Sequence, residues 1–251
     1  MIKVRHLNKS FGEVRVLTDI SVTFEPGITN LIIGRSGSGK TVLLKSIVGL
    51  HDIDNGEIWY NDILFNKLDF EGKKKIRKEI GMLFQGSALF DSLTVEQNVQ
   101  FPLDMFTDMT QEEKLERVNF CLKRVNIINA NKLLPSELSG GMKKRVAIAR
   151  AISLNPKYLF CDEPNSGLDP ITAILIDELI KEITEEYQMT TIINTHDINS
   201  VMKIGEKIVF LHEGIKCWEG NKEEILNTDC DTLNDFVFAN ALAKKLRPEL
   251  K

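Results

Sequence analysis

The feature that most constrains the fold of this chain is a glycine-rich loop between a buried strand and a helix. Residues 28–33 are nearly all apolar or β-branched, which is typical of a strand covered on both faces. They run directly into the sequence GRSGSGKT at residues 34–41, and apolar side chains then recur at helical spacing until Gly49. In this context the pattern G-x-x-x-x-G-K-[ST] predicts a loop that binds a phosphate chain.

The residue types of that loop each have a physical use. Glycine allows the backbone to wrap a phosphate chain with its N–H groups turned inward, and the new helix adds the positive end of its dipole. We expect Lys40 to hold the β- and γ-phosphates and Thr41 to place its hydroxyl on Mg²⁺. The predicted phosphate-binding residues are Gly34, Arg35, Ser36, Gly37, Ser38, Gly39, Lys40 and Thr41.

Strands and helices alternate along most of the chain, which predicts an α/β fold with a mostly parallel sheet. Residues 2–5 and 20–24 alternate apolar with polar side chains and are predicted to be half-buried strands. Residues 94–155 are mainly helical, with apolar side chains three or four apart in residues 112–125. Ligands of such sheets bind at the carboxyl ends of the strands, where the glycine loop falls.

Charge and composition exclude several classes of protein. The 251 residues include 32 Lys and Arg against 36 Asp and Glu, so the net charge of −4 gives no reason to expect nucleic-acid binding. No apolar run approaches the roughly 18 residues of a membrane span, and the start MIKVRHLNKS lacks the features of a secretory signal. We therefore expect a cytoplasmic protein that acts at a membrane only through a partner. The four cysteines are not at metal-ligand spacing, so neither a zinc site nor a disulfide framework is expected.

Two carboxylates and two other polar side chains follow predicted strands. Residues 158–163, YLFCDE, form an apolar strand that ends in Asp162, suited to hold the water shell of a metal, and Glu163, suited to polarise an attacking water. His196 could bond a γ-phosphate, and Gln85 could reach the metal or the water. Taken alone, each of these has an ordinary alternative: a solvated acidic loop, a core or surface histidine, and a structural amide.

Five features in one order resemble the ATP-binding cassette of ABC transporters. They are GRSGSGKT, Gln85 after a strand, the LSGGM signature at residues 138–142, YLFCDE followed by SGLD at residues 166–169, and His196. The resemblance covers roughly residues 2–225. It implies a P-loop nucleotide hydrolase core, RecA-like, with an N-terminal antiparallel β subdomain and an inserted α-helical signature subdomain.

The same resemblance implies ATP and Mg²⁺ as cofactors and assigns roles by position. Glu163 and His196 are implied as catalytic residues, and Thr41, Gln85 and Asp162 as the Mg²⁺ site. Phe11 is placed to stack on adenine, where the family more often has tyrosine. The residues implied to reach the ATP of the other copy in a head-to-tail homodimer are Ser139, Gly140, Gly141 and Met142, with Asp169 in the D-loop. The signature is physically a second anion-binding helix start.

The resemblance also implies the domain boundaries and the partners. The ATP-binding domain is predicted at residues 2–236, with a core at 2–85 and 156–222 and a helical subdomain at about 86–155, followed by a helical tail at 223–251. Integral membrane permease subunits are implied as partners, with the cassette peripheral on the cytoplasmic face of the inner membrane. Leu89, Phe90, Leu93 and Phe101 either contact the coupling helix of the permease or pack the helical subdomain.

Met142 and two segments, residues 81–103 and 140–152, are similar to cassettes of the Mla type (maintenance of lipid asymmetry). This similarity implies phospholipid trafficking between bacterial membranes, together with a periplasmic lipid-binding component. The alternatives are an importer of another small substrate and a cell-division-type regulatory ATPase. A ribosome- or DNA-directed ATPase is disfavoured, since there is one cassette and no sustained heptad repeat between Lys40 and Ser139.

Two further segments keep open interpretations. The basic run at residues 73–78 either meets anionic lipid headgroups or is a solvated face. The apolar residues Phe236, Val237, Phe238 and Leu242 of the tail either clasp the neighbouring subunit or pack on their own domain.

Overall fold

The computed structural model describes residues 1–238. Its strands are β1 (Ile2–Phe11), β2 (Val14–Phe24), β3 (Thr29–Ile33), β4 (Asn55–Tyr60), β5 (Ile63–Leu64), β6 (Ile80–Leu83), β7 (Tyr158–Asp162), β8 (Thr190–Thr195), β9 (Lys207–His212) and β10 (Ile215–Gly220). Its α-helices are α1 (Lys40–Val48), α2 (Phe70–Lys78), α3 (Val95–Phe106), α4 (Gln111–Arg124), α5 (Gly140–Ile152), α6 (Pro170–Tyr187), α7 (Ile198–Ile204) and α8 (Asp231–Val237).

The larger sheet has the strand order β10-β9-β3-β8-β7-β6. The five strands from β9 to β6 run parallel to one another. Every residue of β3, β7 and β8 is buried. Alternate side chains point to opposite faces, so Leu31 and Ile33 join one apolar core while Ile32 joins the other. The α/β fold with a mostly parallel sheet is confirmed, and the carboxyl ends of β3, β6, β7 and β8 meet at one edge.

The N-terminal subdomain is an antiparallel sheet in the order β2-β1-β4-β5, as predicted. Its first two strands are longer than the sequence pattern indicates. Register shifts interrupt the β1–β2 ladder, and His6 and Asp19 adopt left-handed backbone conformations beside them. Bulges of this kind disturb the alternation of apolar and polar residues, which is the signal on which the shorter prediction rested.

The helical subdomain contains α3, α4 and α5. Thr94 and Thr110 each begin a helix with a capping box, with Gln97 and Glu113 as the reciprocal partners. The helix predicted at residues 112–125 is observed at Gln111–Arg124. Helix α2 was not predicted, because Ile76 is its one buried side chain and a single apolar residue produces no periodicity.

The described part of the C-terminal tail packs on its own domain. Phe236 is buried with its ring centroid 5.5 Å from that of Phe210 in β9, and Val237 and Phe238 join the same core. Leu242 and the rest of residues 239–251 lie outside the described residues. Among the helices of residues 1–238, none combines the length and apolar character that crossing a bilayer requires.

Candidate nucleotide site

The phosphate-binding loop connects β3 to α1 at the carboxyl edge of the parallel sheet. Gly34 has a φ of 152°, and a Cβ there would lie 2.3 Å from the carbonyl oxygen of Leu211. Gly39 has a φ of 100°, and a Cβ there would lie 2.7 Å from the Leu17 Cδ2. Glycine at these two positions is therefore required by backbone conformation and by close neighbours.

Lys40 lies inside the concavity of this loop. Its Nζ donates to the carbonyl oxygens of Gly34 at 2.9 Å and Arg35 at 3.1 Å, and only 5% of the residue is exposed. Burial lowers the pKa of the ammonium group, while the charges of Glu163 and Asp162 raise it. The loop thus holds a cation where a phosphate chain would neutralise it. The buried Ser38 hydroxyl has no hydrogen-bond partner, which also fits an anionic ligand.

Thr41 and Asp162 form the pair of oxygen ligands expected for Mg²⁺. The Thr41 hydroxyl donates to Asp162 Oδ1 at 2.9 Å, and Asn194 Nδ2 donates to the same oxygen at 3.2 Å. Mg²⁺ prefers hydroxyl, carboxylate and water oxygens, so this donor set fits the ion. Bound Mg²⁺ would supply positive charge to the phosphates, and the chain would contribute Thr41 and Asp162 to hold it.

Glu163 follows β7 and is held from two sides. Its Oε1 lies 3.0 Å from His196 Nδ1, and its Oε2 accepts from Gln85 Nε2 at 3.3 Å. Its φ of 48° is left-handed, and its backbone N–H donates to the carbonyl of Asn194 at 3.0 Å. A left-handed non-glycine residue costs on the order of 1 kcal/mol, so the surrounding contacts maintain this orientation. The structure therefore brings together Gln85, Glu163 and His196, which come from three separate strand ends.

The signature residues lie elsewhere on the surface. Ser139 caps α5 by accepting from the Met142 N–H at 3.3 Å, and Ser139 and Gly140 are exposed. Asp169 caps α6 by accepting from the N–H groups of Ile171 and Thr172. Within residues 1–238, no hydrogen bond joins the signature to the phosphate-binding loop of the same chain.

Phe11 ends β1 and is about half exposed. The His51 ring meets it edge-on, with centroids 5.3 Å apart, and Lys9 Nζ lies 4.9 Å from the centroid. These contacts hold the ring on the antiparallel subdomain, and its stacking on adenine stays a prediction.

An apolar groove lies between the sheet edge and the helical subdomain. It has a volume of about 410 Å³. We call it the phenylalanine groove, because four half-exposed rings line it: Phe84, Phe90, Phe101 and Phe106. Arg77 and Arg150 also line it. Of the four residues proposed from sequence for this surface, Phe90 and Phe101 line the groove, with ring centroids 4.7 Å apart. Leu89 packs against the core, and Leu93 does not line the groove.

The structure also identifies site residues that sequence reasoning missed. Asn194 orients Asp162, and the one signal for it was an amide in an otherwise apolar and β-branched strand. Lys144 in α5 donates to the backbone carbonyl of Gln85. The sequence did not indicate this role, because the run Lys143 to Arg145 has the composition of a solvated helix face. The basic run of α2 is divided: Arg77 donates to the Gly49 carbonyl at 2.7 Å, whereas Lys74, Lys75 and Lys78 are exposed.

Comparisons with known proteins add to this geometry. A family model described as ABC transporter matches residues 17–166. The methionine import ATP-binding protein MetN of Clostridioides difficile is 38% identical over 237 residues, which cover 94% of this chain and 74% of that protein. The probable ribonucleotide transport ATP-binding protein mkl of Mycobacterium tuberculosis is 34% identical over 236 residues, which cover 94% of this chain and 66% of that protein. Among solved structures, the dimeric post-hydrolysis state of the ATP-binding cassette MJ0796 bound to ADP and Pi has a TM-score of 0.80 and 35% identity, covering 88% of this chain and 99% of that one.

Proposed function

This chain belongs to the ABC transporter family, and on that premise we propose that it is the ATP-hydrolysing subunit of an importer for a small solute, with methionine as the first candidate. It is an ATPase that uses ATP with Mg²⁺. The observation that most directly supports ATP hydrolysis is that the phosphate-binding loop, Asp162 and Glu163 lie together at one edge of the sheet.

We propose the following division of labour within the site. Lys40 and the loop bind the phosphates, and Thr41, Asp162 and Gln85 serve the Mg²⁺ site. Glu163 acts as the general base that removes a proton from the attacking water, a contribution typically worth about 10² to 10⁴ in rate. His196 and Gln85 orient that carboxylate, which explains why it is bonded on both oxygens. Phe11 stacks on adenine.

We propose that two copies pair head to tail around two ATP molecules. Ser139 and Gly140, at the start of α5, are exposed, and within residues 1–238 they make no hydrogen bond to the phosphate-binding loop of their own chain. The N-terminus of a helix attracts anions, so a second copy can present its triphosphate there. Residues 139–142 and Asp169 would then complete the partner's site.

The membrane partner of this family is a permease, and we propose that it docks in the phenylalanine groove. Four exposed rings in one groove are unusual for a surface that stays in water. The groove also adjoins Gln85 through Ala88 and Phe84, so an inserted helix would lie next to the hydrolytic site. We retain the division into a core (residues 2–85 and 156–222), a helical subdomain (about 86–155) and a tail (223–251) as part of this proposal.

Phospholipid trafficking remains a second candidate, because Met142 and residues 81–103 and 140–152 are similar to Mla-type cassettes. The relatives reported above are named for methionine import and ribonucleotide transport, which favours the importer. A periplasmic lipid-binding component belongs to the second candidate alone.

The test is purification of the native membrane complex and its reconstitution in proteoliposomes. The importer proposal expects ATP-dependent accumulation of labelled L-methionine and none with Glu163→Gln. Transfer of labelled phospholipid without methionine uptake would establish the second candidate instead. Absence of Mg²⁺-dependent ATP hydrolysis by the complex would overturn both.

A further inference from the structure

Lys144 lies in the second turn of α5 and is almost completely buried, with 4% of the residue exposed. Lysine is rarely buried unless its ammonium group is paired. Here Nζ donates to the backbone carbonyl oxygen of Gln85 at 2.6 Å. Burial lowers the pKa of this group, while the nearby Cys161, Glu163 and Asp162 raise it. The Lys144 side chain is therefore buried near the two acidic residues of the nucleotide site, and it binds the backbone two residues after the end of β6.

The segment from Gln85 to Ala88 depends on α5 for its conformation. Ser87 and Ala88 have φ angles of 65° and 45°, a region that side-chain-bearing residues seldom adopt. Arg150, near the other end of α5, donates to the carbonyl oxygens of Ser87 at 2.8 Å and Ala88 at 2.7 Å. Helix α5 thus holds this segment at both ends, with Lys144 at Gln85 and Arg150 at Ser87 and Ala88.

From these contacts we infer that Lys144 is a positioning residue for ATP hydrolysis. It holds the backbone of Gln85 so that the Gln85 side chain stays beside Glu163, and it connects Gln85 to helix α5, which Ser139 caps. The inference rests on the proposed function, in which Ser139 contacts the partner's nucleotide. The bond from Gln85 Nε2 to Glu163 Oε2 is 3.3 Å long, near the limit for a hydrogen bond, so a small displacement breaks it. A movement of α5 is therefore transmitted to the base in the same chain's own site.

The test compares Lys144→Met, which keeps the length of the side chain but removes the donor, with Lys144→Arg, which keeps a cationic donor. We expect Lys144→Met to lower kcat by about 10- to 100-fold, since a misplacement of about 1 Å has effects of that size. The Kd for ATP with Mg²⁺, measured by calorimetry in a Glu163→Gln background, should stay within about twofold, because residues 34–41 are unchanged. Lys144→Arg should recover part of kcat, and the Hill coefficient for ATP should fall in Lys144→Met.

Lys123→Met is the matched control, since Lys123 is exposed on α4 and the same chemical change there should leave kcat and Kd unaltered. An unchanged kcat in Lys144→Met would overturn the inference. A loss of ATP affinity with unchanged kcat would also overturn the inference. So would a fall in melting temperature in both Lys144→Met and Lys144→Arg if Lys144→Arg does not recover kcat. If Lys144→Met does not fold, Lys144→Gln takes its place in the same measurements.

A double-mutant cycle with Gln85→Ala separates this inference from a general effect of charge. Gln85→Ala retains the backbone carbonyl but removes the amide that bonds Glu163. If Lys144 acts through that amide, Lys144→Met lowers kcat little further in the Gln85→Ala background, whereas independent effects multiply. Wild-type protein that fails to hydrolyse ATP would refute the proposed function itself, and this outcome is distinct from all of those above.

Discussion

Asp177 makes the stability of this protein depend on pH in a direction opposite to that of most carboxylates. The residue lies in α6 and is 2% exposed, and burial raises its pKa from 3.8 to about 6. This value of about 6 already includes the hydrogen bonds from Ser200 and Asn165, which lower the pKa, and the charges of Asp197 and Glu178, which raise it. Asn165 Nδ2 donates to Asp177 Oδ1 at 2.7 Å, but Asn165 Oδ1 is buried without a partner.

The sign follows from proton binding. Between pH 4 and pH 6 the folded protein keeps the Asp177 proton that the unfolded chain loses, so this group destabilises the fold as the pH rises. Each pKa unit corresponds to about 1.4 kcal/mol, so the difference of about two units amounts to roughly 3 kcal/mol above pH 6. The effect is absent below pH 4, where both states are protonated.

Asp177→Asn removes the ionisation and offers an N–H donor to Asn165 Oδ1. We expect the variant to be more stable than wild type by up to about 3 kcal/mol at pH 8 and nearly equal to it at pH 4. For a chain of this size that difference raises the melting temperature by roughly 6 to 12 °C at pH 8. Thermal unfolding from pH 4 to pH 8 measures it. Asp235→Asn, on the exposed side of α8, is the control and should show no such pH-dependent difference. A difference between wild type and Asp177→Asn that is the same at pH 4 and pH 8 would refute the reasoning.

Three further predictions concern the nucleotide site and the groove. Glu163→Gln keeps the contacts to ATP but cannot accept a proton, so the rate of ATP hydrolysis should fall by about 10²- to 10⁴-fold. Size-exclusion chromatography with ATP should still show a dimer. Hydrolysis at the wild-type rate would contradict the assignment of Glu163 as the base. Lys40→Ala removes the cation from the phosphate-binding loop and should raise the Kd for ATP by at least about tenfold, as measured by calorimetry; an unchanged Kd would count against its role. Phe101→Ser should leave the ATPase activity of the isolated protein intact but weaken copurification with the permease. The control Phe120→Ser changes a similarly exposed ring on α4 and should not weaken copurification. Equal losses of copurification in both variants would argue against docking in the phenylalanine groove.

Local sequence patterns predicted the elements whose signals lie within one short stretch of chain. The phosphate-binding loop before α1 and the helix observed at Gln111–Arg124 depend on neighbours along the chain, and their residues could be identified directly. The patterns were less informative where the fold departs from regular periodicity. Helix α2 was missed and β1 was predicted too short for this reason.

The sequence by itself predicted a phosphate-binding loop that contains Lys40 and Thr41, and a buried strand that runs into Asp162 and Glu163. Only the tertiary structure decided that Gln85 and His196 hold Glu163 between them, and that Lys144 connects Gln85 to the signature helix. The physical reason is that a loop is specified by the conformations of consecutive residues. A hydrogen bond between distant residues depends instead on strand order, register and helix packing, which the whole buried core sets together.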